Sequence, residues 1–350
     1  MSAAPPSTQG QEPLSRPTYS PQQLHAVYER LDLPRRFRYE PGDFSREVVR
    51  HWDGHGFLTA LHRQALANMP FENLELHYSS HHQISLHSNA LFDKIVKQGT
   101  GRGGFCLENN CFLGTVMRSI GFSVTSVGAR VNTDVQPAAA VGERRGRFGG
   151  FSHMVNLVTI RGSTYLVDVG FGAGGPTRPL ELVADVETTN VAPDQMVRLR
   201  HDAIPENDRE QNKLWILERR GGDTKESQWL PLYCFSDSHC FLPQDFEVIS
   251  YFTSTHRQSF FTYRVVCSRA LLDENKNEVI GEVVLYHDKI HRRVRGEKEL
   301  VEELKTEQQR VEALKKYFDI ELTEAQAQGV RGMSSELGVL SLTQDDHHGG

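Results

Sequence analysis

The sequence lacks the hallmarks of secreted, membrane and metal-binding proteins. It has no long apolar run, neither a signal-peptide core near Met1 nor a membrane-spanning stretch, so we expect a cytoplasmic protein without membrane contact. Its five cysteines are an odd number without a C-x-x-C pair, and no H-E-x-x-H motif occurs, so we expect neither a disulfide framework nor a metal. Thiols in a reducing compartment stay free, and one of them could be a nucleophile.

An excess of positive charge is also missing. The chain has 39 Lys and Arg against 45 Asp and Glu, a net charge of −6, whereas nucleic-acid binding draws on a basic surface. We therefore expect no nucleic-acid partner. Hydrophobic residues at 38% and charged residues at 24% are ordinary for a globular chain, and a length of 350 residues favours two or three structural units.

Helical periodicity dominates the first third of the chain. Residues 1–20 are rich in Pro, Ser, Gln and Thr, which predicts a disordered extension. Apolar residues over 24–31 then recur at helical spacing behind a possible Ser20 cap, and a second helix is predicted over roughly 56–68. We assign residues 21–121 to a helical domain that contains the nucleophile.

Short β-rich runs follow this helical region. Strands are predicted over 122–127, 153–160 and 164–169, separated by glycine-containing turns. Between the first two strands, 132–150 is typical of a long polar loop. We assign 122–225 to a β-barrel domain.

Strands and helices mix in the last third. Strands are predicted over 263–267 and 282–286, and an amphipathic helix over 298–318. We assign 226–325 to an α/β lid domain and 326–350 to a flexible tail.

Cys106 differs from the other cysteines in its setting. It follows the glycine-rich turn at 101–104 and begins a helical apolar pattern, where unpaired N–H groups and the helix dipole stabilise the reactive thiolate. A buried structural role is the alternative, because free cysteine is among the most buried residue types. We assign that structural role to the remaining four: Cys111, Cys234, Cys240 and Cys267.

A cysteine nucleophile needs a proton acceptor, usually a histidine that a carboxylate orients. His153 opens a predicted strand, and Asp168 lies at the end of the next one, 15 residues later. A turn at 161–163 would bring these two side chains together. Spacing alone leaves a catalytic and a structural pair equally open. Most other histidines are assigned to the solvated surface: His77, His81, His82 and His87.

Two further patterns carry less weight. The run 170–175 matches G-x-G-x-x-G, the dinucleotide-binding fingerprint, but Pro176 and Pro179 follow where that fingerprint needs a helix. We interpret these glycines as shaping a loop over the active site. The basic run 292–295 is interpreted as a solvated face, with contact to a phosphate as the less favoured alternative.

Five motifs in register resemble those of the arylamine N-acetyltransferases. The segment RGGFCLENN at 102–110 resembles the family's nucleophile motif, R-G-G-[FWY]-C-x-E-x-N. The other four follow in the family's order: PFENL at 70–74, FSH at 151–153, VDVGFG at 167–172 and STHRQSF at 254–260. Together they cover about 22–320 and are far more specific than any one alone.

The resemblance implies an α+β fold with an N-terminal helical bundle, a central β-barrel and a C-terminal α/β lid around a cysteine-protease-like catalytic core. It implies a triad of Cys106, His153 and Asp168 and a ping-pong cycle. In that cycle the cysteine takes an acyl group from acyl-coenzyme A and passes it to an arylamine or arylhydrazine, a reaction of xenobiotic detoxification. Phe71 and Phe171 are implied to line the acceptor pocket. We expect a monomer or a weak homodimer.

For coenzyme A, the resemblance implies contacts from the glycine turn before the histidine and from the stretch 251–260. The candidates are Gly149, Gly150, Tyr251, Arg257 and Ser259. Arg257 departs from relatives that have a small hydroxyl residue there, and the loop before Phe148 is longer than usual. A basic residue near the mouth suits a donor with an additional carboxylate, so malonyl-coenzyme A is an alternative to acetyl-coenzyme A.

Two other functional classes remain open. A Cys-His-Asp amide hydrolase or a transglutaminase-like enzyme would use the same triad, although it would not need the motifs at 70–74 and 254–260. An inactive family member that serves as a binding module would have to lack coenzyme A binding, because all three triad residues are present.

Overall fold

The computed structural model describes residues 16–40, 53–135, 146–191, 195–208, 211–221, 228–239 and 241–338. These residues form a helical part, an eight-stranded antiparallel sheet, and a five-stranded antiparallel sheet flanked by helices, which confirms the α+β class. The predictions for Cys240, for the first fifteen residues of the 1–20 extension, for the centre of the 132–150 loop and for 339–350 of the tail lie outside the described residues.

Helices dominate the first part, as the periodicity predicted. The Ser20 hydroxyl accepts a hydrogen bond from the N–H of Gln23 (3.3 Å), and the Gln23 side chain accepts one from the Ser20 N–H (3.0 Å), which caps the first helix. The elements are α1 (Pro21–Arg30), α2 (Gly54–Asn68), β1 (Phe71–Glu72), α3 (Glu75–Tyr78), α4 (Ser88–Phe92) with a π turn over Asp93–Lys97, and α5 (Cys106–Ile120).

Helix α5 lies at the centre of the molecule. Only Cys111 and Arg118 of its fifteen residues are not buried, because the helix packs against α1 and α4 on one side and against the central sheet on the other. No helix in the described ranges combines the length and apolarity needed to cross a bilayer.

The central sheet runs in the order β5-β4-β3-β2-β9-β8-β7-β6. Its strands are β2 (Ser123–Asn132), β3 (Phe148–Ile160), β4 (Ser163–Val167), β5 (Leu180–Glu181), β6 (Thr188–Val191), β7 (Gln195–Asp202), β8 (Leu214–Arg220) and β9 (Leu230–Phe235). Alternate residues of β7 are buried, as a sheet with one face on the core requires.

The second sheet runs in the order β1-β10-β11-β12-β13. Its later strands are β10 (Val266–Leu272), β11 (Val279–Tyr286), β12 (Lys289–Val294) and β13 (Glu297–Glu303). The last helices in the chain are α6 (Pro243–Thr255), which contacts β3 of the central sheet, α7 (Glu307–Phe318), which contacts β10, and α8 (Glu324–Gln328). Leu285, Ile290, Leu314 and Phe318 share one core beneath this sheet.

The helix predicted over 298–318 is wrong in its first part. Glu297–Glu303 pair with β12, and the helix begins only after Thr306, whose hydroxyl accepts from the N–H of Gln309 (3.3 Å). Arg295 and Gly296 have positive φ of 50° and 88°, the backbone of a tight two-residue hairpin. This hairpin places 297–303 in a strand, although the charged and apolar residues there have helical spacing.

The predicted domain boundaries are crossed by pairing between distant strands. Strand β1 lies within the predicted helical domain but pairs with β10, with Phe71 opposite Ser268. Strand β9 lies beyond the predicted boundary after 225 but belongs to the central sheet, between β2 and β8. Such pairing depends on tertiary packing, which composition along the chain does not report.

The predicted N-terminal extension is too long. Tyr19 is buried, its N–H donates to the Ser119 hydroxyl (2.7 Å), and its own hydroxyl donates to the Ser88 carbonyl (3.0 Å). The aromatic ring packs on Phe92 and Phe112 of the helical core. The polar composition of 1–20 gave no indication that Tyr19 anchors the end of this segment to the core.

The predicted tail also begins too early, and one histidine assignment is wrong with it. Val330 and Ser335 are fully buried. The Ser335 hydroxyl lies 2.8 Å from Nδ1 of His77, and its carbonyl accepts from Nη2 of Arg310 (2.9 Å). His77 is therefore a buried histidine rather than a surface one, because the returning chain covers it.

Candidate active site

Cys106 is the first residue of α5 and is only 5% exposed. The preceding glycines allow the tight approach that places it there: a Cβ on Gly103 would lie 2.0 Å from the Pro70 carbonyl oxygen. The Cys106 sulfur lies 3.7 Å from the carbonyl oxygen of Ser152, the residue that precedes His153 on β3. The nucleophile candidate and the candidate base therefore face the same cavity.

His153 and Asp168 meet as the strand pairing predicted. Strands β3 and β4 are antiparallel neighbours, and Nε2 of His153 lies 2.8 Å from an oxygen of Asp168, with both side chains buried. An ionised carboxylate only accepts hydrogen bonds, so Nε2 carries the proton of this contact. In the neutral ring, Nδ1 then keeps the lone pair that a base needs.

Asn110 on α5 is a site residue that sequence reasoning missed. Its Nδ2 donates to Asp168 (2.8 Å) and to the Met154 carbonyl (2.7 Å), and its Oδ1 accepts from the N–H of Val169 (3.1 Å). One amide thus ties the helix that begins at Cys106 to β3 and to the chain after β4. Its place in the RGGFCLENN segment was the available clue.

Asp168 is held in its ionised form. Burial alone would raise its pKa, but His153, the Asn110 amide and the N–H of Gly170 (2.9 Å) outweigh burial and lower the pKa below its usual value. Gly170 must be a glycine, because a Cβ there would lie 2.5 Å from the Cys106 carbonyl oxygen.

The Cys106 thiol is not acidic in isolation. Burial raises its pKa above the ordinary value, and the Asp168 and Glu108 carboxylates add to that rise; the N–H groups at the helix start oppose it without prevailing. The N–H groups at the helix start lower the pKa of the thiol, as the sequence predicted, but burial raises this pKa by more. A thiolate here needs a neighbouring cation.

Two aromatic rings enclose His153. Phe171 packs edge-on against the imidazole with centroids 5.6 Å apart, and Tyr233 of β9 lies 5.1 Å away. Burial and the Asp168 carboxylate raise the pKa of Tyr233 well above its usual value, which keeps the phenol neutral. Sequence reasoning missed Tyr233, because β9 reaches the site only through pairing with β2 and β8.

A cavity of about 920 Å³ opens in front of these residues. Phe71 and Phe171 line it, together with Gly149, Gly150 and Ser259. A Cβ on Gly150 would stand in open space, so a ligand can approach the backbone closely there. Two other candidates are not brought to this wall: Tyr251 and Arg257 are exposed and lie outside the lining.

Comparisons with known proteins identify the family of this chain. A family model described as N-acetyltransferase matches residues 56–327. The N-malonyltransferase FDB2 of Fusarium pseudograminearum is 40% identical over 323 residues, 90% of this chain and 93% of that protein. The chain belongs to the arylamine N-acetyltransferase family. Its relatives are N-acyltransferases, and this chain is accordingly an acyltransferase.

Solved arylamine N-acetyltransferases share the fold. The enzyme of Nocardia farcinica superimposes with a TM-score of 0.69 at 26% identity, covering 91% of this chain and 97% of that one. The Mycobacterium marinum enzyme in complex with CoA gives a TM-score of 0.64 at 25% identity, covering 85% and 92%. The three-part organisation expected for an arylamine N-acetyltransferase is thereby confirmed.

A buried ionic network lies next to the start of the helix that carries Cys106. Arg102 donates from Nε to Glu72 (2.9 Å), and Nζ of Lys94 lies 2.8 Å from Glu108 and 3.5 Å from Glu72. Glu108 also accepts from the N–H of Phe105 (3.1 Å), which fixes the start of α5. The ion pair between Glu72 and Arg102 therefore joins two of the family motifs, PFENL and RGGFCLENN.

Proposed function

We propose that this enzyme transfers a malonyl group from malonyl-coenzyme A, through a thioester on Cys106, to an aromatic amine, with a role in detoxification. The hydrogen-bonded His153 and Asp168 beside a buried cysteine, at the wall of a large cavity, support the covalent route. The malonyl donor is supported by the 40% identity to an N-malonyltransferase, and coenzyme A by the CoA complex of the M. marinum relative. Acetyl-coenzyme A is the alternative donor.

The cycle begins with proton transfer. Nδ1 of His153 takes the proton of the Cys106 thiol, and the resulting imidazolium, stabilised by Asp168, supplies the cation that the buried thiolate needs. The thiolate adds to the thioester carbonyl. Coenzyme A then leaves as its thiolate and takes the proton from His153, and the acyl group stays on Cys106.

The amine completes the cycle. Its nitrogen attacks the Cys106 thioester, His153 takes the amine's proton, and the amide departs as the cysteine thiolate returns. Phe71 and Phe171 give the cavity an aromatic wall near the cysteine, which suits an aromatic acceptor. Gly149, Gly150 and Ser259 are the wall positions that we assign to coenzyme A.

The proposal is tested by mixing the protein with malonyl- or acetyl-coenzyme A without amine and measuring the intact mass. We expect an adduct on Cys106 that disappears when an aniline is added. Cys106→Ala should form none, whereas Cys111→Ala, a matched change five residues along the same helix, should form it. Lack of any wild-type adduct would contradict the transferase and favour an amide hydrolase or a binding module.

A further inference from the structure

One cation in the cavity wall differs from the rest. Arg219 of β8 is only 8% exposed, yet it lines the same cavity as Cys106. Its Nη1 donates to the carbonyl oxygen of Gly174 (3.3 Å), and a Cβ on that glycine would lie 1.8 Å from Nη1. The guanidinium therefore occupies the space that a side chain at position 174 would need.

This loop links the arginine to the reacting cysteine. It starts at Asp168, touches the Cys106 backbone at Gly170, and places Phe171 against the His153 ring. Gly175 folds back on it, since a Cβ there would lie 2.9 Å from Cβ of Phe171. A group attached to the cysteine thus shares a wall with the guanidinium.

The charge of the cavity favours an anion. Among the described residues that line it, four are Arg or Lys and two are carboxylates, Asp134 and Glu282. Arg292 and Lys298 of the β12–β13 hairpin are exposed, and solvent screens them. Arg219 is shielded from water, so its attraction for a carboxylate is stronger.

Glu282 of β11 contacts the same glycine. One of its oxygens accepts from the N–H of Gly174 (3.0 Å), while Arg219 donates to the Gly174 carbonyl. The two side chains come from different sheets and bind the two peptide groups on either side of the Gly174 Cα. Because a guanidinium presents several N–H donors in a fixed fork, it can hold this carbonyl and a ligand carboxylate together.

We infer that Arg219 forms a carboxylate subsite and that its ligand is the free carboxylate of a malonyl group carried by the donor. The inference rests on the proposed function and assigns the choice of donor to one side chain. The residue that favours a malonyl donor is then buried Arg219 and not exposed Arg257, which the sequence suggested. The basic residues nearer solvent are left for the phosphates of coenzyme A.

The test compares the rates at which Cys106 is acylated by malonyl- and acetyl-coenzyme A in single turnovers. Arg219→Gln should lower the malonyl-to-acetyl rate ratio by about 10-fold or more, because only malonyl loses a charged partner. Arg219→Lys, which keeps the charge without the fork, should lower the ratio less. Thermal unfolding of each variant verifies that the protein is folded.

Glu282→Gln is the matched control, because it alters the opposite contact to Gly174. If Arg219 only positions the loop, both variants will slow the two donors by the same factor and the ratio will stay constant, which overturns the subsite. Under our proposal, Glu282→Gln should instead leave the malonyl-to-acetyl rate ratio equal or higher, because it removes a carboxylate from the cavity wall. A wild-type protein that forms no adduct would contradict the proposed function itself.

A last experiment distinguishes a carboxylate on the acyl donor from a carboxylate on the acceptor amine. If the donor ratio is unchanged in Arg219→Gln, but transfer to an aminobenzoate falls relative to transfer to aniline, the arginine recognises the acceptor and the malonyl assignment is wrong. If the donor ratio falls and the two acceptors respond alike, the assignment is supported.

Discussion

Asn110 donates a 2.8 Å hydrogen bond to the Asp168 carboxylate, on the oxygen that His153 does not use. The same carboxylate oxygen also accepts from the N–H of Gly170. Asp168 is therefore satisfied on both oxygens although it is fully buried. This arrangement keeps the carboxylate ionised and fixes the ring that it orients.

We expect Asn110→Ala to slow Cys106 acylation by at least roughly 10-fold, because the carboxylate that orients His153 loses a donor. The pKa of Asp168 should rise as well, so the acidic limb of the pH–rate profile should move to higher pH. Single-turnover acylation across pH measures both effects.

Asn109→Ala provides the matched control for this change. Asn109 is equally buried, but its side chain donates to the Pro70 carbonyl (3.3 Å) and not to Asp168. Both variants should lose stability. An unchanged acidic limb in Asn110→Ala, or an equal shift in Asn109→Ala, would contradict the assigned role.

His153→Gln should lower the acylation rate by about 10²- to 10⁴-fold while coenzyme A still binds. Because burial raises the pKa of the Cys106 thiol, the remaining rate should climb with pH over the whole measurable range as thiolate forms without a base. Single turnovers and calorimetric binding separate these effects. His256→Gln, which alters another histidine of the cavity wall, should retain most of the rate.

Local chemistry explains what the sequence could predict. The Ser20 cap depends on Gln23 three residues later, and the placement of Cys106 at a helix start depends on the glycines just before it. The approach of His153 to Asp168 needs only two adjacent strands and their turn. In each case the decisive neighbours are close in the chain.

The residues that were missed or misplaced depend on distant contacts. Tyr233 and Arg219 reach the site because β9 and β8 join the central sheet. The local sequence of these strands does not predict which strands they pair with. Tyr251 and Arg257 were selected by their place in the stretch that resembles the family, but α6 and the turn after it leave them in solvent. Which side of a helix faces a cavity is decided by packing from the rest of the chain.

The buried ionic network should contribute strongly to stability only as an intact set. Burial would raise the pKa of Glu72, but the charges of Arg102 and Lys94 outweigh it and lower the pKa to about 2. Arg102→Met leaves a buried carboxylate without its main partner, so we expect the free energy of unfolding to fall by about 3–5 kcal/mol.

Urea unfolding at a constant m-value measures this loss. Lys305→Met is the control: it removes the same kind of charge from an exposed pair with Glu303 (2.6 Å), where solvent screens the attraction, and it should change little. Equal midpoints for the two variants would contradict the energetic role assigned to the network.

His77 should make the protein sensitive to mild acid. Burial and the charge of Arg310 lower its pKa from 6.5 to about 4, while Ser335 and the Phe261 carbonyl hold the neutral ring on its two nitrogens. An unfolded chain takes up this proton near pH 6.5, so between pH 6.5 and 4 the unfolded state binds more protons. The free energy of unfolding should therefore decrease as the pH is lowered from 6.5, by up to about 3 kcal/mol at pH 4.

His77→Gln tests this origin, because glutamine keeps polar contacts but does not titrate. Urea unfolding at several pH values should show a smaller loss between pH 6.5 and 4 than the wild type. Part of the loss should remain, since burial also lowers the pKa of His62 to about 4. His87→Gln, at an exposed position, should retain the full wild-type slope, and a His77→Gln slope equal to it would show that the acid sensitivity arises elsewhere.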